Sequence, residues 1–418
     1  MRSRRWACAG LTAVVLLAAC GTARPHRGPN PAPAPSSAPA ATRTPGQGIG
    51  AAPSRAPQSQ PPAAAGPIGA VRVAGNHFVD QRGRPIRLLG FNHAGAEYEC
   101  IEGTGIFDTP TGEPPDAAVV RAMRSWRGTT AVRVPLNEQC WLGLPSAPAR
   151  FAGAAYRSAV AKFVSRLNDA GLVAVLDLHR SAPADAASKE QEQMPDRDHS
   201  VDFWRSVAAT FGHRPAVVFD LFNEPFPYAE TDSARAWRCW RDGGCRLTSV
   251  NSGKPYVAAG MNELIAAVRS TGARTVVLAG GLHWAEGMTH WLTYRPQDPL
   301  RQLAASFHAY SFNRYCASVA CYQRDLTMLM RKVPLFVGEI GPTLTLGSEG
   351  IDSNCPRSAV AAGGFATATL NWLDAHGASW TAWSWNPWTD CWALVSSLDG
   401  TPTAGWGADI HRRLNADG

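Results

Sequence analysis

The chain has 418 residues, of which 45% are hydrophobic and 17% are charged, and its formal net charge is +7. This composition supplies a large core and excludes a generally disordered chain. No apolar run reaches the roughly 18 residues of a membrane-spanning helix, which excludes a multi-pass membrane protein. Seven of the 40 basic residues and no acidic residue fall within residues 1–66, so 33 basic and 33 acidic residues remain. This balance leaves no excess of positive charge that would indicate a nucleic-acid partner.

The first segment is typical of an exported protein. Three arginines within residues 1–10 precede a short apolar run, Leu11–Ala18, which small residues follow. This order predicts a secretory signal peptide over residues 1–19. The run ends Leu-Ala-Ala-Cys-Gly, which resembles a bacterial lipoprotein signal, and in that class Cys20 is lipidated and anchors the protein to the outer face of the cell membrane. The alternative is ordinary cleavage beside an incidental cysteine.

Residues 20–67 are predicted to form a disordered Pro/Ala-rich tether. From Gly21 to Pro67 the sequence has twelve prolines and neither an aromatic nor an acidic residue. Such a segment buries too little apolar surface to offset its chain entropy. We therefore expect the folded part of the protein to occupy residues 68–418.

The cysteine count agrees with export. Eight cysteines lie within residues 68–418, and an even number in an exported chain predicts up to four disulfides. The two close pairs, Cys239/Cys245 and Cys316/Cys321, are the best candidates. Their spacing does not match a zinc site, so we expect no metal. The eight positions are Cys100, Cys140, Cys239, Cys245, Cys316, Cys321, Cys355 and Cys391.

Strand-like and helix-like segments alternate through residues 68–418. Eight short runs rich in Val, Ile, Leu and Phe predict strands at Ile86–Phe91, Ala131–Val134, Val173–Leu178, Val217–Phe222, Thr275–Ala279, Leu303–Phe307, Leu335–Val337 and Trp380–Trp385. Helical spacing of apolar residues predicts helices at Phe151–Ala170, Val201–Phe211, Asn262–Thr271 and Ala359–Ala375.

Eight such repeats predict an α/β fold, a (β/α)8 TIM barrel. We expect residues Val71–Asp80 to form a hairpin that closes its bottom. A doubly wound open sheet has the same alternation, but the first strand leads into Gly-Phe-Asn-His rather than a Gly-rich phosphate turn.

Polar residues of several kinds end the predicted strands. The second strand carries Arg133, the third ends Asp-Leu-His179, and the fourth ends Asn223-Glu224-Pro225. His308-Ala-Tyr310 ends the sixth, Gly-Glu339 the seventh, and Trp383 and Trp385 lie on the eighth. Each motif alone has a structural explanation, such as a helix start or a buried ion pair. Because function in a barrel lies at the carboxyl ends of the strands, their convergence predicts an active site.

Two of these residues suggest the chemistry. Glu224 and Glu339 should face each other across the barrel mouth, and cleavage of an acetal needs one carboxylic acid and one carboxylate. Arg133 can keep one carboxylate ionised, while a less polar setting keeps the other protonated. Trp side chains offer flat faces to sugar rings. The chemistry needs no cofactor.

The order of Arg133, His179, Asn223-Glu224-Pro225, His308-x-Tyr310, Glu339 and Trp383 resembles glycoside hydrolase family 5, the cellulase family. The resemblance implies a retaining mechanism with Glu224 as acid/base and Glu339 as nucleophile. It implies that Asn223 contacts the sugar 2-hydroxyl and that Arg133 and Tyr310 position the nucleophile. It also implies that His179 and His308 line the central subsite and that Trp383 stacks on the sugar, with Trp385 as a possible substitute.

We therefore expect a β-linked polysaccharide or oligosaccharide substrate, with endo-acting cleavage of β-1,4-glucan as the first choice. Mannan, β-1,3-glucan and glycolipids remain alternative substrates, and a non-catalytic carbohydrate-binding lipoprotein or a structural cell-wall protein are rival functions. We expect a monomer that contacts the membrane through its lipid anchor only. Two loops, 96–115 with Glu97, Glu99 and Glu102, and Trp237–Cys245, either wall the cleft or are disulfide-pinned packing elements.

Overall fold

The computed structural model describes residues 68–313, 315–343, 346–347, 350–351 and 364–416. The predicted signal peptide, the tether, Cys20 and Cys355 lie outside these residues. Within the described part of the chain, no helix is both long enough and apolar enough to cross a membrane.

Eight parallel strands close into a barrel, which confirms the predicted fold. Each predicted strand is present, with bounds that differ by a few residues. Around the barrel they are β4 (Leu89–Asn92), β5 (Ala131–Asn137), β6 (Val173–Arg180), β7 (Val217–Asp220), β10 (Val276–Gly280), β11 (Leu303–Ala309), β12 (Leu335–Ile340) and β15 (Ser379–Ala382), and β15 pairs with β4.

Helices alternate with the strands along the chain. The longer ones are α2 (Ala117–Ser125), α4 (Ala154–Asp169), α5 (Ser200–Phe211), α7 (Ala234–Asp242), α8 (Met261–Ser270), α10 (Val319–Met330), α11 (Gly364–Ala375) and α12 (Trp406–Ala416). The short ones are α1 (Glu99–Glu102), α3 (Glu138–Leu142), α6 (Pro227–Glu230) and α9 (Leu282–Ala285). The described connection from β10 to β11 contains α9 alone, because Pro296 and Pro299 interrupt the second half of that segment.

The amino-terminal end of the barrel is closed as predicted. Strands β1 (Arg72–Ala74), β2 (His77–Val79) and β3 (Pro85–Ile86) form a small antiparallel sheet. Val71 and Phe78 pack in one buried cluster with Val175, Val218 and Phe336 from the barrel interior. Two further antiparallel pairs join β8 (Arg246–Thr248) to β9 (Pro255–Val257) and β13 (Leu346–Gly347) to β14 (Gly350–Ile351).

Disulfides pin the loops at the carboxyl end of the barrel. Both predicted close pairs, Cys239–Cys245 and Cys316–Cys321, are bonded. A third bond joins Cys100, after β4, to Cys140, after β5, across a sequence separation of 40. Cys391 is also disulfide-bonded.

Candidate active site

Arg133 organises the floor of the site. It is fully buried on β5, and its Nη1 donates to Glu339 Oε1 at 2.8 Å and to Asn92 Oδ1 at 3.1 Å. Its Nε donates to Asp220 Oδ2 at 3.1 Å, and its Nη2 lies 3.1 Å from Asp177 Oδ2. Burial alone would lower the pKa of Arg133, but these three carboxylates outweigh it and raise that pKa. A permanent cation therefore lies at the centre of the site.

Glu339 is held by donors on both of its oxygens. Arg133 donates to Oε1, and the Tyr310 hydroxyl donates to Oε2 at 2.6 Å. Burial, followed by the nearby Glu339 charge, raises the pKa of Tyr310, which keeps its hydroxyl protonated as a donor. Two acceptor oxygens are the arrangement expected of an ionised carboxylate.

A bulge in β12 places Glu339 in this position. The pairing with β11 runs Phe307 with Val337 and then His308 with Glu339, so Gly338 has no partner in the register. The Gly338 carbonyl is still satisfied, since it accepts from Asn92 Nδ2 at 2.9 Å and from the Thr381 hydroxyl. Bulges of this kind re-aim side chains beside active sites.

Glu224 has different surroundings from Glu339. Its Oε1 lies 2.9 Å from His308 Nδ1, and its side chain is 18% exposed, whereas that of Glu339 is 5% exposed. Burial raises the pKa of Glu224 to about 8, against an opposing effect of Arg133. Burial lowers the pKa of His308 to about 4, so this imidazole is neutral near pH 7. Glu224 is therefore a carboxylic acid at neutral pH and can donate a proton.

The two glutamates lie close together. Glu224, His308 and Glu339 each place one oxygen or nitrogen atom within 4.8 Å of the other two. Such a set can also hold a metal ion, but His308 Nδ1 already contacts Glu224, and Glu339 already accepts from Arg133 and Tyr310. A protonated and a hydrogen-bonded carboxyl group at this distance form an acid and a nucleophile that can act on one bond.

His179 and Asn223 extend the same network. His179 Nδ1 lies 2.7 Å from Asp177 Oδ2, and burial lowers the pKa of this histidine well below its usual value. The neutral ring therefore donates from Nδ1 to Asp177 and leaves Nε2 as an acceptor. Asn223 Oδ1 accepts from Arg133 Nη2 at 2.8 Å, and its Nδ2 lies 3.4 Å from that Nε2.

Trp383 and Trp385 have different positions. Trp383 is half-buried and lies parallel to His179, with ring centroids 5.8 Å apart and an interplanar angle of 21°. Trp385 is fully buried against Phe91 and Trp126. The suggestion that Trp385 can replace Trp383 as a sugar platform is therefore wrong, because its faces are covered by core side chains.

The structure thus brings together all eight residues predicted for catalysis and substrate positioning. Two acidic residues also belong to the network and were not predicted, Asp177 and Asp220. Both are buried against Arg133, and burial raises the pKa of Asp177 to about 7 and that of Asp220 to about 6. Their signal in the sequence was an acidic residue inside an apolar strand, where an unpaired charge is costly.

The loop over residues 96–115 borders the site. Asp108 Oδ2 accepts from Tyr98, from Asn386 and from Trp388, which ties this loop to the loop after β15. Glu97 is buried and accepts from the Gly95 N–H, and burial raises its pKa to about 8.

The segment Trp237–Cys245 is a packing element. Trp237 and Trp240 are fully buried, and their indole N–H groups donate to Asp232 and to the Gly280 carbonyl. The disulfide between Cys239 and Cys245 closes the end of α7. Its buried tryptophans therefore offer no face to a substrate.

Comparison with known proteins places this site in a family. The model of the family described as cellulase (glycosyl hydrolase family 5) matches residues 79–388. The chain is 26% identical over 274 residues to the endoglucanase CelA of Streptomyces lividans, covering 65% of this chain and 49% of that protein. It is 23% identical over 326 residues to the endoglucanase MaCel5A of Microbulbifer sp. (strain ALW1), covering 76% and 51%. The chain thus spans about half the length of these curated relatives.

A solved structure shares the fold. The β-glucanase SdGluc5_26A of Saccharophagus degradans, in complex with cellotetraose, superposes with a TM-score of 0.60 at 18% identity. The match covers 84% of this chain and 94% of that one.

Proposed function

Because the chain belongs to the cellulase family, glycosyl hydrolase family 5, we propose that it hydrolyses a β-linked polysaccharide by a retaining double displacement. The observation that carries this proposal is the contrast between two neighbouring carboxyl groups. Glu339 accepts from Arg133 and Tyr310, whereas burial raises the pKa of Glu224 to about 8. One group is thus arranged as a nucleophile and the other as an acid.

In the first step, Glu339 attacks the anomeric carbon while Glu224 gives its proton to the departing glycosidic oxygen. In the second step, Glu224 takes a proton from water, and the water oxygen displaces Glu339 from the sugar. An inverting enzyme needs room for a water molecule, with carboxyl groups about 6.5–9.5 Å apart. One oxygen of Glu224 lies within 4.8 Å of one oxygen of Glu339, so both carboxyl groups can reach the same glycosidic bond.

The surrounding residues support these steps. Arg133 and Tyr310 position Glu339, and Asn223 contacts the 2-hydroxyl of the sugar at the cleavage point. His179 and His308 line this subsite, and Trp383 offers a flat face to the sugar ring. These roles rest on the placement of all six side chains around the two glutamates.

The preferred substrate is β-1,4-glucan, cleaved in an endo-acting manner. Two relatives are named endoglucanases, and a structural neighbour is described as a β-glucanase in complex with cellotetraose. Mannan, β-1,3-glucan and glycolipids are the alternatives. A purely carbohydrate-binding role is disfavoured because both carboxyl groups and their partners are in place.

The protein's location follows from its first 67 residues. We place the catalytic domain outside the cell, as a monomer held to the membrane by lipid on Cys20 and by the Pro/Ala-rich tether. Globomycin treatment of the native host should leave a larger precursor. Unchanged processing would contradict the lipid anchor.

The full-length protein should be tested on carboxymethylcellulose, mannan and laminarin by release of reducing ends. We expect release from carboxymethylcellulose, and a loss of about 10⁴-fold or more in Glu339→Gln, because the nucleophile is removed. The control is Glu138→Gln, which changes another buried glutamate whose pKa is raised by burial and which lies outside the network. Activity retained in Glu339→Gln would contradict the assignment of the nucleophile.

A further inference from the structure

Gln191, in the loop between β6 and α5, contacts Asn223 at the centre of the site. Asn223 Oδ1 accepts from Arg133, so the amide nitrogen of Asn223 points away from the arginine. That nitrogen donates to Gln191 Oε1 at 3.1 Å and lies 3.4 Å from His179 Nε2. Both amide hydrogens of Asn223 therefore have acceptors before any substrate is bound.

The orientation of Gln191 is set by its own contacts. Its Nε2 donates to the Glu192 carbonyl at 3.2 Å, which leaves Oε1 to face Asn223. Gln191 Oε1 acts only as a hydrogen-bond acceptor, and Asn223 Nδ2 acts only as a hydrogen-bond donor. The two groups thus form a matched acceptor and donor.

The loop that carries Gln191 is anchored by the neighbouring residue, Glu192. Glu192 is fully buried, and its carboxylate accepts from the Ser249 hydroxyl at 2.6 Å, from the Val250 N–H at 2.8 Å and from Asn251 Nδ2 at 2.9 Å. Such a cage fixes the backbone next to Gln191. Binding groups held by well-packed supporting contacts lose little entropy when a ligand binds.

A hydroxyl group is the ligand that fits this pair. A hydroxyl can accept one hydrogen bond and donate another. Its oxygen can accept from the Asn223 N–H while its O–H donates to Gln191 Oε1. Asn223 and Glu339 are both held by Arg133, so this hydroxyl lies beside the carbon that Glu339 attacks. In a pyranose, the hydroxyl next to the anomeric carbon is the 2-hydroxyl.

We propose that Gln191 is a substrate-binding residue that accepts a hydrogen bond from the 2-hydroxyl of the sugar at the cleavage point. The inference rests on the proposed glycoside hydrolysis and adds one contact to it. The substrate hydroxyl enters between Gln191 and Asn223 and replaces their direct hydrogen bond. Contacts to the 2-hydroxyl strengthen in the transition state of retaining glycosidases, so Gln191 acts on the rate as well as on binding.

The test uses an aryl β-cellobioside and its analogue that lacks the 2-hydroxyl on the sugar at the cleavage point. We expect Gln191→Ala in the full-length protein to lower kcat/KM about tenfold on the parent substrate. On the 2-deoxy analogue, the variant and the wild-type protein should differ by less than about twofold. The matched control is Gln193→Ala, since Gln193 lies in the same loop and donates to the Thr248 carbonyl instead.

The outcomes separate the alternatives. An equal loss on both substrates would assign Gln191 a structural role and overturn the proposal, as would an unchanged kcat/KM on the parent substrate. Wild-type protein that cleaves neither substrate would refute the preferred β-1,4-glucoside substrate and this inference with it. An active wild type with an unaltered Gln191→Ala variant would refute this inference alone.

Discussion

Val175, Val218 and Phe336 fill the barrel interior near its amino-terminal end, whereas the residues two positions later on the same strands lie against Arg133. Those later residues are Asp177, Asp220 and Gly338. Because side chains alternate along a strand, residues two positions apart both face inward, and one step along these strands replaces two valines by aspartates and a phenylalanine by glycine. We call the first set the lower layer and the second set, with Arg133, the upper layer.

The contrast shows how one barrel separates stability from chemistry. The lower layer removes apolar surface from water, and each of its side chains contributes to the stability of the fold independently of the others. The upper layer buries a guanidinium and two carboxyl groups, and each of these three groups is tolerable only while the others are present. The lower layer should therefore accept substitutions with a loss of stability alone, whereas the upper layer should lose its function with any member.

The largest expected effect comes from paired substitutions in the two layers. Arg133→Met leaves Asp177, Asp220 and Glu339 without their cation and should cost about 3–5 kcal/mol in the free energy of unfolding. It should also lower kcat/KM at least about 10³-fold. Phe336→Ala should cost a similar 3–5 kcal/mol through a cavity, with kcat/KM within about twofold of wild type. Urea unfolding and hydrolysis assays on the same samples measure both quantities.

A second arginine serves as control for the first. Arg269 is also mostly buried and pairs with Asp298 at 2.8 Å, but on the outside of the barrel. Arg269→Met should lose stability and keep its activity. If Arg133→Met does not fold, Arg133→Lys keeps the charge and tests the geometry alone. Full activity in either Arg133 variant would remove the distinction between the layers.

The pH dependence of hydrolysis should show a smaller effect that also distinguishes the two layers. Burial raises the pKa of Glu224 to about 8, and only its protonated form can serve as the acid. We therefore expect kcat/KM on carboxymethylcellulose to fall about tenfold per pH unit above pH 8. The decline should weaken for an aryl glycoside whose leaving group needs no proton, and Phe336→Ala should leave it unchanged. A decline that begins near pH 5 would show that Glu224 is ionised in the free protein.

The sequence was sufficient for the fold because the barrel strands are strongly apolar and regularly spaced. It also predicted Glu224 and Glu339, since acidic residues directly after buried strands need a functional reason. Asp177 and Asp220 were harder to predict, because their contact with Arg133 depends on which side chains point inward. Gln191 lies in an irregular loop, where no periodicity predicts a contact.

Two nearby tryptophans show most clearly what the sequence alone could not predict. Trp383 and Trp385 both follow β15, which ends at Ala382, so the alternation of a strand no longer decides which way each ring points. The structure places Trp383 beside His179 and Trp385 among core side chains. The pairing of Cys100 with Cys140 was left open for a related reason, because its two loops meet only once the barrel is closed.

That disulfide has a consequence for anyone who wishes to redesign the protein. It joins the loop after β4 to the segment after β5, and Asp108 joins the same loop to Trp388 after β15. The three successive loops around the cleft, after β15, β4 and β5, are thus linked to one another. A loop grafted from a relative would have to arrive with its neighbours, so the module that can be exchanged is the whole arc.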